Sequence, residues 1–166
     1  MFLEISNITQ KMISESDGNF HDINHFMKVY AFARTIGLKE KLPEITQVTL
    51  EAAAMIHDIA CPLCREKYGN TNGKHQEQEG IPLAREFLSD IELPDDMKER
   101  IVYLVGRHHT YTGVDGMDYQ ILLEADFLVN ADEGKMSFTE IRTARDRLFK
   151  TEAGINLLDS MYLKER

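Results

Sequence analysis

The residues that could do chemistry in this chain are six histidines, His21, His25, His57, His75, His108 and His109, and two aspartates, Asp58 and Asp126. Imidazole and carboxylate together suit a divalent transition metal: zinc, iron, manganese, nickel or cobalt. His21 and His25 stand four apart, which on a helix places both on one face. That spacing lets two imidazoles share a metal, and it equally fits a surface pair. His57 and Asp58 interrupt "AAAMIHDIA", a stretch otherwise built like the interior of a buried helix. Burying an imidazole and a carboxylate there is costly unless something binds them. His108 and His109 close another helix, where an imidazolium would also suit the helix dipole. Asp126 lies among Leu122, Leu123, Phe127, Leu128 and Val129, so it should be buried and in want of a cation. Glu124 and Asp132 are expected to face solvent. Each residue has an ordinary structural explanation alone. One metal site shared by several helices accounts for all of them at once.

The elements that must position these residues read as helices throughout. The first covers "FLEISNITQKMI", with Phe2, Ile5, Ile8, Met12 and Ile13 as its apolar stripe. The second covers "DINHFMKVYAFARTIG", its stripe formed by Phe26, Val29, Tyr30, Ala33 and Ile36 and its stop at Gly37. Pro43 precedes a third helix running to about residue 60. Residues 61–74, "CPLCREKYGNTNGK", carry the strongest loop signals: Pro62, Gly69, Asn70, Asn72 and Gly73. A helix over about 75–89 follows, then one in "LPDDMKERIVYLVGRHH", opened by Pro94 and early acids. "TYTGVDGMD" reads as a loop. Three more helices fit "YQILLEADFLVNAD", "SFTEIRTARDRLFK" and "TEAGINLLDSMYLKER". Period-2 alternation never persists. The expectation is one all-α domain over residues 1–166, a compact multi-helix bundle whose last third, 133–166, packs without chemistry.

Composition narrows the function classes. The 166 residues carry a formal net charge of −9. That argues against a phosphate-backbone binder, since nucleic-acid binding leans on basic patches. It does not disfavour a small phosphorylated substrate held by a metal. No apolar run reaches the ~18–20 residues of a membrane span. "MFLEISNITQ" lacks the basic-then-apolar pattern of an export signal. With only Cys61 and Cys64 present, a reduced cytoplasmic setting is expected. Their C-x-x-C spacing is half of a zinc site without its second pair, so they read as reduced bystanders.

The order His25, then His57–Asp58, then Asp126 resembles the HD superfamily of metal-dependent phosphohydrolases. "HFMKV", "AAAMIHDIA" and "EADFLVNAD" are similar to that superfamily's first-histidine, motif and final-aspartate segments, over about residues 20–132. The resemblance implies that His25, His57, Asp58 and Asp126 ligate metal. Some members carry extra histidines and bind two or more metals, among them the HD-GYP cyclic-dinucleotide phosphodiesterases and the diadenosine tetraphosphate hydrolases. His108 and His109 resemble the "HH" element of the former. "HQEQEGIPLAREFL" resembles a helix that supplies another histidine four residues before a glycine. Here that slot holds Gln76. His75, Glu77 or Glu79 beside it is the expected substitute ligand, and His21 resembles a position where some members add one. No G-Y-P follows "HH", so cyclic-dinucleotide turnover is not expected. Cys61 stands where the single-metal nucleotidases have glutamate.

The resemblance implies hydrolysis of a phosphomonoester or phosphoanhydride with one or two metals, Asp58 and Asp126 being the catalytic carboxylates. The expected substrate is a nucleotide or a dinucleoside polyphosphate, gripped by Lys67, Arg107 or Lys74. Two alternatives share the ligand set: a mixed-valent di-iron oxygenase, and a non-catalytic metal-binding domain. A homodimer fits either.

Overall fold

The computed structural model describes residues 2–164, and of Phe2 the backbone alone. The Phe2 side chain, expected in the first apolar stripe, and residues 165–166, expected in the last helix, lie outside the described residues. Nine α-helices follow in the described chain: α1 Phe2–Glu15, α2 Phe20–Lys39, α3 Glu44–Ile56, α4 Cys61–Tyr68, α5 Gly73–Phe87, α6 Asp95–Val105, α7 Met117–Glu133, α8 Phe138–Arg147 and α9 Glu152–Leu158, with a π-helical turn Asp159–Leu163 at the end. No strand occurs among the described residues. The all-α expectation holds.

The centre is α3. From Gln47 to Ile56 every residue of it is buried, and it packs against α1, α2, α6 and α7. Most of that surface is apolar, as a core helix requires, and its buried acid Glu51 is held by Arg34 and Gln47. The small side chains of Ala52, Ala53 and Ala54, each fully buried, let its neighbours come close. Helix α1 lays Ile5, Ile8 and Met12 on it. Helix α2 begins at Asn19, whose side chain accepts from the Asp22 amide, a cap that fixes where the helix starts. It buries Phe26, Val29, Ala33 and Ile36. No helix among the described residues is long and apolar enough to cross a membrane.

Two sequence expectations fail locally. Gly37 does not stop α2, which runs on to Lys39. Its role is close approach: a Cβ there would lie 2.3 Å from the Gln47 Oε1 atom. The turn falls instead at Lys41, in the left-handed region at φ 59°. The segment expected as a loop contains α4. Pro62 sits in its first turn, where no intrahelical N–H hydrogen bond is lost, and Gly69 at φ 69° closes it, its amide N–H donating to the Arg65 carbonyl. The breakers at 62 and 69 bound a helix eight residues long.

The C-terminal third is tied on by a buried acid. Glu124, expected at the surface, is fully buried. It accepts from Gln120 Nε2 at 2.8 Å, from the Lys150 and Thr151 amides at 2.7 and 3.0 Å, and from the Thr151 hydroxyl. Those donors explain how a carboxylate stays in the core. Asp132 is exposed, as expected.

Candidate metal centre

Three helix ends and one helix middle deliver the histidines and aspartates to one point. His25 comes from the second turn of α2. His57 caps the C-terminus of α3, and Asp58 begins the turn after it. His108 and His109 follow the end of α6, and Asp126 projects from the middle of α7. The His25, His57, His108 and Asp126 residues are all buried, whereas the Asp58 side chain keeps 24% of its surface open.

The geometry is tight. The His25 Nε2 atom lies 3.2 Å from His57 Nε2, 3.2 Å from Asp126 Oδ1 and 3.3 Å from Asp58 Oδ2. His57 Nε2 is 3.4 Å from Asp126 Oδ1, and His108 Nε2 is 3.3 Å from Asp58 Oδ1. The far nitrogen of each ring is spoken for. His57 Nδ1 donates to the Ala54 carbonyl at 2.8 Å and His108 Nδ1 to the Val105 carbonyl at 2.7 Å. His25 Nδ1 meets Glu133 Oε2 at 2.8 Å. A ring whose Nδ1 proton is held by an acceptor presents the Nε2 lone pair in its neutral form. Orienting partners of this kind are what metal-ligating histidines have. So three lone pairs and two carboxylates face one another across little more than 3 Å. Without a cation or extra protons that cluster repels itself.

The electrostatics say the same. Burial alone would lower the His25 pKa, but the hydrogen bond with Asp126 and the charges of Asp58, Asp126 and Glu133 lift it to about 9. Burial opposes charge on His108 too, and Asp58 and Asp126 outweigh it, raising its pKa. Burial would raise both aspartates, yet the histidines around them hold Asp58 and Asp126 well below the usual carboxylate range. Positive charge is wanted here, and protons supply it in the metal-free protein. His109 differs: burial, and then His108 beside it, push its pKa down to about 4, so it stays neutral.

The donor atoms fall into two groups that share Asp58: His25, His57 and Asp58, and Asp58, His108 and His109, each gathered within 4.8 Å. This donor set fits one divalent cation against His25, His57, Asp58 and Asp126, and a second beside His108 and His109. The structure thus brings together His25, His57, Asp58 and Asp126, the ligands the resemblance implies, with His108 and His109 beside them.

The additional ligands are not brought in. His75 turns away and stacks on Tyr68 with ring centroids 3.9 Å apart. Glu77 accepts from the His109 amide and the Thr110 hydroxyl, both at 2.9 Å. Glu79 is taken by Lys67 and the Tyr68 hydroxyl at 2.5 Å. The residue in the slot is Gln76. Its Oε1 lies 3.3 Å from His108 Nε2 and 3.2 Å from His109 Nε2, while its Nε2 donates to the Thr71 carbonyl at 2.7 Å. A step of one residue turns a helical side chain by about 100°, so His75 cannot take the place of Gln76. His21 lines the mouth of the site cavity but is exposed and makes none of the cluster contacts.

The expected phosphate grips are also elsewhere. Lys67 is paired to Glu79. Arg107 lies over the Tyr103 ring, 5.2 Å from its centroid, and Lys74 is exposed. None of the three lines the cavity of about 150 Å³ around the site. The cation that does is Arg65, paired with Asp22. Reading 61–74 as a loop hid it. Asn130 and Glu133 also line the cavity. They stand four and seven residues after Asp126, a helical spacing that could have found them. Cys61 and Cys64 are buried free thiols. Cys61 lies at the cavity wall, where burial, with Asp58 and Asp22 nearby, drives its pKa far up and leaves it a thiol.

A search of curated proteins finds no match. The crystal structure of a predicted HD superfamily hydrolase from an uncultured Thermotogales bacterium is similar in fold, with a TM-score of 0.68 at 24% identity, covering 96% of this chain and 84% of that one. The HD domain family model matches residues 22–141, a span that holds all six converging histidines and aspartates. The chain therefore belongs to the HD domain family.

Proposed function

We propose that this chain is a metal-dependent phosphohydrolase acting on a small phosphate ester or anhydride. The observation that carries the reading is the convergence of three oriented Nε2 atoms and two depressed carboxylates on one point at the wall of a cavity. His25, His57, Asp58 and Asp126 would hold one divalent cation, with Asp58 shared toward His108 and His109. Bound there, such a cation polarises phosphoryl oxygens and lowers the pKa of a water toward ~7. Asp126, buried and ionised, is placed to orient the attacking water and take its proton. Arg65, at the rim, would turn from its partner Asp22 to offer a phosphate its fork of donors. Neutral His109 can donate one hydrogen bond from Nε2. The water oxygen bonds to phosphorus, the P–O bond to the organic part breaks, and the departing oxygen is protonated from solvent at the open mouth.

The test is metal content per chain by plasma mass spectrometry, on protein purified without chelator or histidine tag, followed by a panel of phosphate esters with manganese, cobalt or nickel. One or two metals and turnover are expected. Asp58→Ala should lose the metal and the turnover with its helical circular dichroism intact, while Leu163→Ala should keep both. No metal under any of these conditions would sink the reading. The sharing of Asp58 between two donor groups also suits an iron pair, so two irons with an oxygen-dependent spectrum would move the assignment to an oxygenase.

A further inference from the structure

A second, larger cavity adjoins the metal centre and is built for something other than phosphate. It has a volume of about 600 Å³. Asp22 and Asp58 line both this cavity and the smaller one, so the two meet at the proposed metal. Its walls come from α1, α2, α4, α5 and the turn at 58–59. Met12, Phe26, Ile59, Leu63, Leu83 and Phe87 give it an apolar lining. Its charged groups are mostly acidic. Glu15 and Glu86 stand at the rim, exposed and with no ion-pair partner among the described residues. Its cation, Lys11, is already committed: Nζ donates to Asp90 Oδ1 at 2.6 Å and to the Phe87 carbonyl at 2.7 Å.

We propose that this cavity receives the organic part of a monophosphate ester, an apolar group that is uncharged or cationic, while the phosphate occupies the smaller cavity beside Arg65 and the metal. The inference rests on reading the metal centre as a phosphate site. It narrows the substrate class. A second phosphate in the larger cavity would face Glu15 and Glu86, with Lys11 already paired to Asp90 and Asp22 taken by Arg65, and like charges brought together repel. This disfavours dinucleoside polyphosphates, whereas a single phosphate on an aromatic or heterocyclic body fits. The apolar wall supplies binding by burial, and the acidic rim selects against anionic bodies.

Phosphonates resist hydrolysis, so binding can be read apart from turnover. The probes are methylphosphonate, phenylphosphonate, 4-carboxyphenylphosphonate and 4-(aminomethyl)phenylphosphonate, titrated by calorimetry into manganese-loaded protein. Phenylphosphonate is expected to bind at least tenfold tighter than methylphosphonate. The aminomethyl probe should bind at least as tightly as phenylphosphonate, and the carboxy probe several-fold more weakly. Leu83→Trp, which fills the cavity without touching a proposed ligand, should erase the phenyl advantage and leave methylphosphonate and manganese binding unchanged. Leu63→Trp on the opposite wall is the second variant should the first fail to fold. Equal affinity for methyl and phenyl, no binding of either, or a phenyl advantage that survives both variants would overturn the proposal. A phenyl advantage with no hydrolysis of phenyl phosphate would support the cavity and sink the hydrolase reading. Hydrolysis with no phenyl advantage would do the reverse.

Discussion

His25 has two hydrogen-bonded sides, and each constrains the other. Glu133 holds Nδ1 while Asp126 and Asp58 crowd Nε2. In the metal-free protein the ring keeps its proton up to about pH 9. A metal at Nε2 must displace that proton, so metal affinity should climb as pH rises from about 6.5 toward 9 and then level. The folded-state pKa lies above the ordinary imidazole value, so the proton's contribution to apo stability is complete below about 6.5 and disappears as pH passes 9. Calorimetric manganese titrations between pH 6 and 9.5, in parallel with urea unfolding of the chelated protein, check both signs. An affinity flat across that window would mean that the ring does not meet the metal. Gln76 sets a second expectation. Its neutral amide oxygen, fixed by Thr71, is a weak ligand, and the donor group beside it borrows its one charge from Asp58. Two manganese ions should therefore bind with unequal affinity, and Gln76→His should tighten the weaker step by tenfold or more. The histidines and Asp126 were legible because a buried polar group in an apolar run needs a reason. The resemblance located the slot of Gln76, but a neutral amide is so weak a ligand that its charged or imidazole neighbours were expected to stand in for it, where the structure keeps Gln76 itself on the histidines.

Among the elements, α7 has the most to hold. One face carries Asp126, Asn130 and Glu133 into the site, and another carries Glu124 to the loop before α9. Only glycine fits opposite that carboxylate: a Cβ on Gly154 would lie 2.0 Å from Glu124 Oε2. Removing the carboxylate leaves the buried Thr151 amide and hydroxyl, and the half-buried Lys150 amide, without that acceptor, at about 1–3 kcal/mol for each group fully stranded. Glu124→Ala should cost about 3 kcal/mol and lower Tm by roughly 6–12 °C. Metal stoichiometry should not change. Differential scanning calorimetry with a metal assay separates the two effects. An unchanged Tm would show that the anchor is made by other contacts. The sequence pattern located most helices but misread two joints. Gly37 was taken for a stop because glycine often ends helices, yet here it admits Gln47. Helix α4 was lost among turn residues that in fact bound it, and Arg65 was lost with it.

At the scale of the whole molecule, the candidate metal centre is where separate parts of the bundle meet. Its donors come from α2, the end of α3, the segment after α6, and α7. Three of these, α2, α6 and α7, pack on α3, and the cluster closes one end of that core. In the unfolded chain the same donors are spread from residue 25 to residue 126 and form no site. A ligand that binds only the folded state stabilises it by mass action, about 2.7 kcal/mol at a hundred times its dissociation constant. For a chain of this length each kcal/mol moves Tm by about 2–4 °C. Saturating manganese should thus raise Tm by about 5–10 °C over the chelated protein, and the gain should grow with free metal concentration. Asp58→Ala should lose that gain and lower the chelated Tm, since the surrounding histidines hold that carboxylate ionised in the metal-free protein. Leu63→Trp and Leu83→Trp should retain the gain in full, because they alter the neighbouring cavity and no donor. Thermal scans of the four proteins with and without manganese make the comparison. A gain that persists in Asp58→Ala would place the stabilising ion elsewhere in the molecule.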